Sequence, residues 1–404
     1  MFEKWFDKHF EKRYNKTLKK LKNKEVIRVA FLNCDSSKWV YQSLYEQMAQ
    51  NPKFEPFVLV SVDDILLRKK YAYLNYKQQL KDNYEFFKNR GMNVEYAFAN
   101  GKYIDLKKFN PDIVFYEQPW HLPKLHDLGR VSKFALTYYV SYGSSTTNGT
   151  NEYKTEFFCD VYRYYLDNSW TKSMLEKHGC IPQRLVVSGS LKLDAYKKPL
   201  NPDNLNWRTT DRKRIIWAPH HSFFEGSQLG FGTFDWTYKF MYNYAKEHQE
   251  YEFIMKPHPE LKRQMVRHLM SVEDAEKYFE MWRELPNAQV IEGGDYYDMF
   301  RTSDLMITDC NSFLFEYLPN NKPLIHLIGK NSVGFNEFGQ KIISGYYDVH
   351  DIDELKQAIE KILVNGHDTL FEKRSNILKN DVFLPQESVA KFIAKNIENE
   401  LKNN

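Results

Sequence analysis

Apolar residues at the start of the chain recur every three or four positions. Phe2, Trp5, Phe6, Phe10, Leu18 and Leu21 fall on one side of a helix, and Lys4, Lys8, Lys12, Lys16, Lys19 and Lys20 take much of the rest. This spacing predicts an amphipathic helix over residues 1–24. From Val26 the pattern changes to short apolar runs rich in β-branched residues, separated by helical stretches. VIRVAFL (26–32), FEPFVLVSV (54–62), PDIVFYEQP (111–119), KFALTYYVSYG (133–143), YRYYLDN (162–168) and RLVVSGS (184–190) read as strands. Strands alternating with helices in this way predict a parallel sheet with βαβ crossovers. The stretch 197–213 carries prolines and asparagines without periodicity and reads as a linker. A second α/β set follows, with strands at RIIWAP (214–219), YEFIMKPHP (251–259), AQVIEG (288–293) and DLMITDC (304–310). The expected fold class is therefore α/β, with two Rossmann-like doubly wound domains over 25–196 and 214–380. A last helical segment, 381–404, is placed to pack back on the first domain.

Composition narrows the class. Of 404 residues, 42% are apolar and 27% charged, an ordinary globular balance that excludes wholesale disorder. No apolar run approaches the ~18 residues a membrane-spanning helix needs. The four cysteines (Cys34, Cys159, Cys180, Cys310) are scattered without a CxxC. They argue against a disulfide scaffold or a cysteine zinc site and fit a reducing cytosol. The net charge of +4 is uneven: residues 1–24 hold nine Lys/Arg against three Asp/Glu, leaving 48 basic and 50 acidic residues elsewhere. The body of the protein thus lacks the basic excess of a nucleic-acid binder. Acidic residues at 3, 7 and 11 argue against a targeting peptide. The first helix fits an anionic membrane surface, with Phe2, Trp5, Phe6 and Phe10 turned to the lipid and lysines at the headgroups. It fits equally a basic helix packed on its own domain or on a second subunit. The expected location is cytoplasmic, peripheral on the inner face of the cell membrane.

Candidate chemistry concentrates in the second α/β set. The chain has no G-x-G-x-x-G, P-loop, H-E-x-x-H or G-x-S-x-G segment. Asp351 and Asp353 precede a helical stretch and read as capping residues rather than metal ligands. In DLMITDCNSFLFEYLPNNKPLI (304–325) a buried strand ends near Thr308, and a polar turn containing Asn311 and Ser312 leads into a helix. Such a turn aims backbone N–H groups at an anion. In KPHPE (256–260) two prolines hold His258 at a strand's carboxyl edge beside Lys256, where an imidazole can donate to a phosphate oxygen or protonate a leaving group. In IIWAPHHSF (215–223), His220 and His221 follow a strand end; adjacent residues are expected to send only one ring to the site.

The order W-A-P, K-P-H-P, then I-T-D-x-N-S-x-x-F-E-x-L-x-x-x-K-P-L-I resembles the CDP-glycerol glycerophosphotransferase family, whose enzymes prime or extend teichoic acids and related capsule polymers. The segments VSGSLKLDAY (187–196) and SKWVYQSLYEQM (37–48) add to the resemblance. It implies a GT-B arrangement, with the donor nucleotide in the C-terminal domain and the acceptor facing the N-terminal one. On the matching positions His258 would contact the donor diphosphate, Asn311 and Ser312 would hold phosphate, and Glu316 would sit near the ribose hydroxyls. Lys256, His220, His221 and Thr308 complete the donor-side candidates.

Two departures bear on mechanism. Where the family's polymerases carry Trp-His-Gly-Thr-Pro, this chain has TYYVSYGSSTT (137–147), with Tyr142 in place of the proposed basic histidine. A phenol with a pKa near ~10 is a poor base at neutral pH. Where Thr-Trp-Arg is expected after Ala-Pro, His220, His221 and Ser222 stand. Other base candidates are His121, which follows a strand end, His126, and Asp35 in the first loop. Asp35, Ser36, Tyr142, Gly143 and Ser144 form the acceptor-side set. The function expected is transfer of glycerol phosphate, or a similar polyol phosphate, from a CDP-linked donor to a hydroxyl of a lipid-linked or glycan acceptor, without cofactor or metal. The alternatives are a GT-B glycosyltransferase using a UDP- or CMP-sugar and an inactive scaffold subunit of a polymer-synthesis complex.

Overall fold

The computed structural model describes residues 2–69, 75–148, 156–209 and 211–403, with backbone alone at 2–8 and 403. Its contacts divide the chain into two units. Unit 1 takes the residues up to Ser144, the stretch ending at Asp194 and the segment from Phe383; unit 2 takes a short stretch from Ser145 and the run Ala195–Val382.

Unit 1 is built on β1 (Ile27–Asn33), β2 (Phe54–Val60), β3 (Val94–Tyr96), a small antiparallel hairpin β4 (Phe98–Ala99) and β5 (Lys102–Tyr103), then β6 (Ile113–Tyr116), β7 (Leu136–Val140), β8 (Arg163–Leu166) and β9 (Leu185–Val187). Seven of these form one sheet in the order β3-β2-β1-β6-β7-β8-β9, every pairing parallel. Winding runs outward from β1 to β3, then returns to set β6 on the other side of β1. That reversal marks the switch point of a doubly wound sheet, beyond whose strand ends ligands bind. The core strands read as apolar runs because both faces are covered. Much of the chain's aromatic content is core: Phe31 stacks on Phe115 at 5.1 Å between centroids, and Phe115 meets Tyr138 at the same distance.

Unit 2 repeats the plan. Its strands are β10 (Lys213–Ala218), β11 (Tyr251–Met255), β12 (Ala288–Val290), β13 (Leu305–Thr308), β14 (Leu324–Leu327) and β15 (Tyr347–Val349), ordered β12-β11-β10-β13-β14-β15 and all parallel. Here β10 and β13 flank the switch point, as β1 and β6 do in unit 1. Trp217 of β10 packs on Trp282 at 5.4 Å and on Phe234.

The first helix, α1 (Phe2–Leu21), turns its apolar stripe inward. Phe10, Tyr14, Leu18 and Leu21 are buried in the core of unit 1. Phe10, expected at a lipid surface, is only 4% exposed and is a core residue; Phe2, Trp5 and Phe6 lie outside the described side chains. Tyr14 anchors the helix. Its hydroxyl donates to the Asp160 carbonyl at 2.8 Å and accepts from the Thr137 hydroxyl at 2.6 Å, while Thr137 itself accepts from the Tyr162 N–H. The outer face keeps Lys12, Lys16, Lys19 and Lys20 exposed. Among the described residues no helix is long and apolar enough to cross a membrane.

Two features escaped the sequence. A disulfide joins Cys159 to Cys180, whose Cα atoms the folding of unit 1 brings to 4.4 Å. The scattered spacing had suggested unpaired thiols. The other is the loop after β7, which is stitched into unit 2. Asn336 donates from its backbone to Thr146 O at 3.0 Å and from Nδ2 to Ser145 O and Thr147 O, and Thr147 bridges Phe335. Gly339 permits this approach, since a Cβ there would lie 2.0 Å from Thr146 O.

Tyr14→Phe should leave the helix in place but weaken its attachment. A lost buried hydrogen bond with an orphaned partner costs about 1–3 kcal/mol, to be read as a lower urea midpoint at an unchanged slope.

Candidate functional site

Three histidines meet at the carboxyl edge of the unit 2 sheet. Pro219 carries the chain out of β10 into His220 and His221, and Lys256-Pro257-His258 continues β11 alongside. The Lys256 N–H donates to Trp217 O at 2.8 Å and the His258 N–H to Pro219 O at 3.1 Å, so the two strand ends stay in register past the sheet. Ring centroids are 4.2 Å apart for His221–His258, 4.9 Å for His220–His258 and 4.2 Å for His220–His221. The expectation that only one of the adjacent pair would reach the site fails: both rings lie against His258.

The partners of each Nδ1 decide what these rings can do. His258 Nδ1 accepts the backbone N–H of Glu260 at 3.1 Å. His220 Nδ1 lies 2.7 Å from the Ser222 hydroxyl and accepts the Ser222 N–H at 3.3 Å. The Ser222 oxygen already accepts from the Phe231 and Gly232 N–H groups, so its proton turns to His220. A ring nitrogen that accepts carries no proton, and the neutral ring then holds it on Nε2. His220 and His258 are thereby fixed as Nε2–H donors. Burial, then the neighbouring His221 and Lys256 charges, lowers the His258 pKa to about 4. Burial also holds His220 well below the usual histidine value, with His221 and His258 adding to it, and lowers His221. The ring nitrogens lie within 4.8 Å of one another, a spacing that invites a metal. A metal needs a lone pair, however, and on His220 and His258 the Nδ1 lone pairs are engaged while Nε2 bears hydrogen. The donor set suits an anion.

Other donor-side candidates divide sharply. Lys256 is buried beside His258, with its ammonium 5.4 Å from the Tyr296 ring centroid and its pKa lowered by burial. Asn311 and Ser312 open a helix of six residues, Asn311–Glu316, whose N-cap Cys310 makes no side-chain cap bond. Asn311 Oδ1 accepts from the Thr146 hydroxyl at 2.7 Å. Thr308, expected to touch the donor, is fully buried: its hydroxyl donates to Ala218 O at 2.6 Å and accepts from the Cys310 N–H, so it shapes the turn. Glu316 is also buried, accepting from the Tyr296 and Tyr297 hydroxyls at 2.6 and 2.9 Å.

Asp309 was not singled out from the sequence, yet it organises this edge. Its Oδ1 accepts the His220 N–H, and its Oδ2 accepts the N–H and hydroxyl of Thr233, clamping the loop after β10. Unit 1 has the same device at the same place. Glu117, the residue after β6, accepts the N–H groups of Cys34 and Asp35 in the loop after β1. Burial raises Asp309 to about 7 and Glu117 to about 8.

On the unit 1 edge, Asp35 Oδ1 accepts from the Ser37 N–H and hydroxyl, and the Ser36 N–H donates to Asn83. Tyr142 packs edge-on against Trp120 at 6.0 Å, Gly143 O accepts from Ser141, and the Ser144 hydroxyl is buried. His121 Nδ1 lies 3.2 Å from the Asp63 carboxylate. His126 is excluded as a base: it is fully buried between Ser61 and the Ile104 carbonyl, and burial lowers its pKa to about 4. Asp351, read as a cap, accepts the Glu354 N–H at 2.9 Å.

Residues 15–328 match the family described as CDP-Glycerol:Poly(glycerophosphate) glycerophosphotransferase. No curated protein sequence matches. Among solved structures, a variant of the wall teichoic acid polymerase TagF soaked with CDPG superposes with a TM-score of 0.61 at 12% identity, covering 95% of this chain and 90% of that one. The UDP-GlcNAc 2-epimerase of Neisseria meningitidis bound to UDP-GlcNAc gives 0.61 at 11% identity, covering 92% and 100%. The enzyme of that name from Methanocaldococcus jannaschii gives 0.58 at 12% identity, covering 92% and 100%. At these identities the likeness is one of fold: the parallel-sheet α/β architecture expected of a GT-B-type protein.

The two buried carboxyls set a pH signature. Each has a folded-state pKa above its ordinary value, 4.5 for Glu117 and 3.8 for Asp309. The folded chain therefore holds protons that the unfolded chain has released. The stability they contribute is full at low pH and is lost as pH rises through about 7 for Asp309 and about 8 for Glu117. His258 acts oppositely, its contribution vanishing as pH falls through about 4. Glu117→Gln keeps an acceptor for Cys34 and Asp35, and its urea midpoint should fall less between pH 5 and pH 9 than that of the parent; an identical fall would disprove the assignment.

Proposed function

Because the chain belongs to the CDP-Glycerol:Poly(glycerophosphate) glycerophosphotransferase family, we propose that it moves glycerol phosphate from CDP-glycerol to a hydroxyl of a lipid-linked or glycan primer of a teichoic-acid-type polymer. The observation that carries the donor half of this reading is the pair of neutral Nε2–H imidazoles, His220 and His258, beside the buried ammonium of Lys256. A diphosphate needs donors that are already oriented and already dry. In the reaction an acceptor oxygen attacks the distal phosphorus, the bond from that phosphorus to the bridging oxygen breaks, and CMP leaves. Negative charge grows on the bridging oxygen, where His258 Nε2–H and Lys256 stabilise it. Asn311 and Ser312 contribute side-chain and backbone donors at the neighbouring turn. No resident metal is required in this scheme, because the rings are set to donate protons rather than lone pairs.

The family's acceptor chemistry makes a membrane surface the natural workplace, and α1 supports it through charge alone. Its apolar stripe is engaged inside unit 1, so Lys12, Lys16, Lys19 and Lys20 face outward as an electrostatic contact for anionic lipid, worth roughly 1 kcal/mol per lysine near the surface. This reading places the enzyme at the inner face of the cell membrane.

His258→Ala should lower CMP release from CDP-glycerol by roughly 10²–10³-fold with little change in melting temperature. His258→Gln, which keeps an N–H donor, should recover part of the loss. Full activity in His258→Ala would remove the imidazole from the mechanism, and loss of activity in a chelator would refute the metal-free scheme. CDP-glycerol should raise the melting temperature more than UDP-sugars do; the reverse order would favour glycosyl transfer. The quadruple change of Lys12, Lys16, Lys19 and Lys20 to Gln should abolish cosedimentation with anionic vesicles, and salt should release the parent protein in the same assay. Unchanged, salt-insensitive binding would confine α1 to a structural role.

A further inference from the structure

The acceptor hydroxyl must lose a proton, and the family's histidine for that task is replaced here by Tyr142. The geometry points to His121 as the general base of unit 1, with Asp63 as the positioning residue that makes it one; this rests on the transferase reading above.

His121 lies in the segment that leaves β6, at the carboxyl edge of the sheet. Its backbone φ is +54°, a left-handed conformation that non-glycine residues seldom adopt. The surroundings hold it there. The Asp64 N–H donates to His121 O at 3.3 Å, and Gln118 Nε2 donates to Trp120 O at 3.1 Å. Strained backbone of this kind gathers where a side chain has to be aimed. The ring meets Asp63 through Nδ1 at 3.2 Å.

Asp63 is itself immobilised. Its Oδ1 accepts the Ile65 N–H at 3.0 Å, and its Oδ2 accepts Gln118 Nε2 at 2.9 Å. The other end of Gln118 accepts from Lys38 Nζ at 2.9 Å, and Lys38 lies 3.4 Å from Asp35. Two donors therefore fix the carboxylate, and the carboxylate fixes the ring. An ionised carboxylate can only accept, so His121 Nδ1 carries the proton and the lone pair sits on Nε2. That is the tautomer opposite to the one imposed on His220 and His258. The His121 side chain is 36% exposed, whereas that of Asp63 is 14% exposed. The ring is open to a substrate and its anchor is not.

Its rivals lack one or the other property. His126 has both ring nitrogens engaged in the interior. Glu117 is buried and holds the loop after β1. Tyr142 packs on Trp120 and remains a phenol. In the step proposed, the acceptor O–H proton passes to His121 Nε2 as the oxygen bonds to phosphorus and the phosphorus–oxygen bond to CMP breaks. The imidazolium formed is stabilised by Asp63.

Two measurements on the full chain test this. Two-bond ¹⁵N–¹H correlation spectra of histidine-labelled protein should show His121 as the Nδ1–H tautomer and His220 and His258 as Nε2–H, and Asp63→Ala should convert His121 to a mixture. In steady-state CMP release with CDP-glycerol and primer, His121→Gln should lower kcat by roughly 10²–10⁴-fold, and Asp63→Ala should lower kcat by more than tenfold. In both variants the KM for CDP-glycerol and the thermal shift it induces should hold. An Nε2–H tautomer at His121, or parental kcat in His121→Gln, would overturn the base while leaving the donor site intact. Absence of CMP release from the parent with every primer, and of any CDP-glycerol thermal shift, would overturn the transferase reading and the base together.

Discussion

What touches Nδ1 of each imidazole governs the chemistry of both units. A backbone N–H or a serine hydroxyl aimed at Nδ1 leaves hydrogen on Nε2, and the ring becomes a donor. A carboxylate at the same atom leaves a lone pair on Nε2, and the ring becomes an acceptor. His220 and His258 belong to the first kind and His121 to the second. Stabilising a leaving phosphate and removing a hydroxyl proton are opposite tasks, and one residue type performs both here because the second atom of contact differs. Burial reinforces the first group, since desolvation keeps its members neutral and ready to donate without first shedding a proton.

Beneath these rings lies a repeated support. In each unit the strand that flanks the first strand ends in a buried carboxyl, and that carboxyl grips backbone N–H groups of the loop leaving the first strand. The two sheets share their winding, so the same position meets the same geometric problem twice: a loop must turn sharply over a switch point where its amides lack strand partners. An acidic side chain from the neighbouring strand answers it in both. Burying it disfavours the ionised form, and the amide donors recover part of that cost.

The strands were legible because a sheet covered on both faces demands uninterrupted apolar runs, and Trp-Ala-Pro, Lys-Pro-His-Pro and Ile-Thr-Asp each mark a strand end. The Nδ1 partners of His220 and His258 are two residues further along the chain, within reach of local reasoning. Asp63 is 58 residues from His121, and no spacing announces it. Periodicity found the apolar face of α1 but not the surface it covers; Phe10 therefore stood as a membrane contact when Tyr14 and Thr137 draw that face into unit 1. Thr308 looked like a ligand contact because it ends a strand, yet its hydroxyl closes the gap between β13 and β10. The pairing of Cys159 with Cys180 depends on helices flanking β8 and left no mark in the pattern.

The stitching of Ser145, Thr146 and Thr147 to Asn336 has an evolutionary corollary. Neither folded body is a continuous piece of polypeptide, because the second borrows a few residues from the middle of the first, and the first reclaims the tail beyond Phe383. A crossover between two related genes near codon 194 would hand the daughter protein a foreign partner for Asn336 and a foreign neighbour for the bare Cα of Gly339. Relatives of this chain are therefore expected to have diversified by substitution within an intact frame, with the tract from residue 145 and the Asn336–Gly339 turn inherited as a matched set.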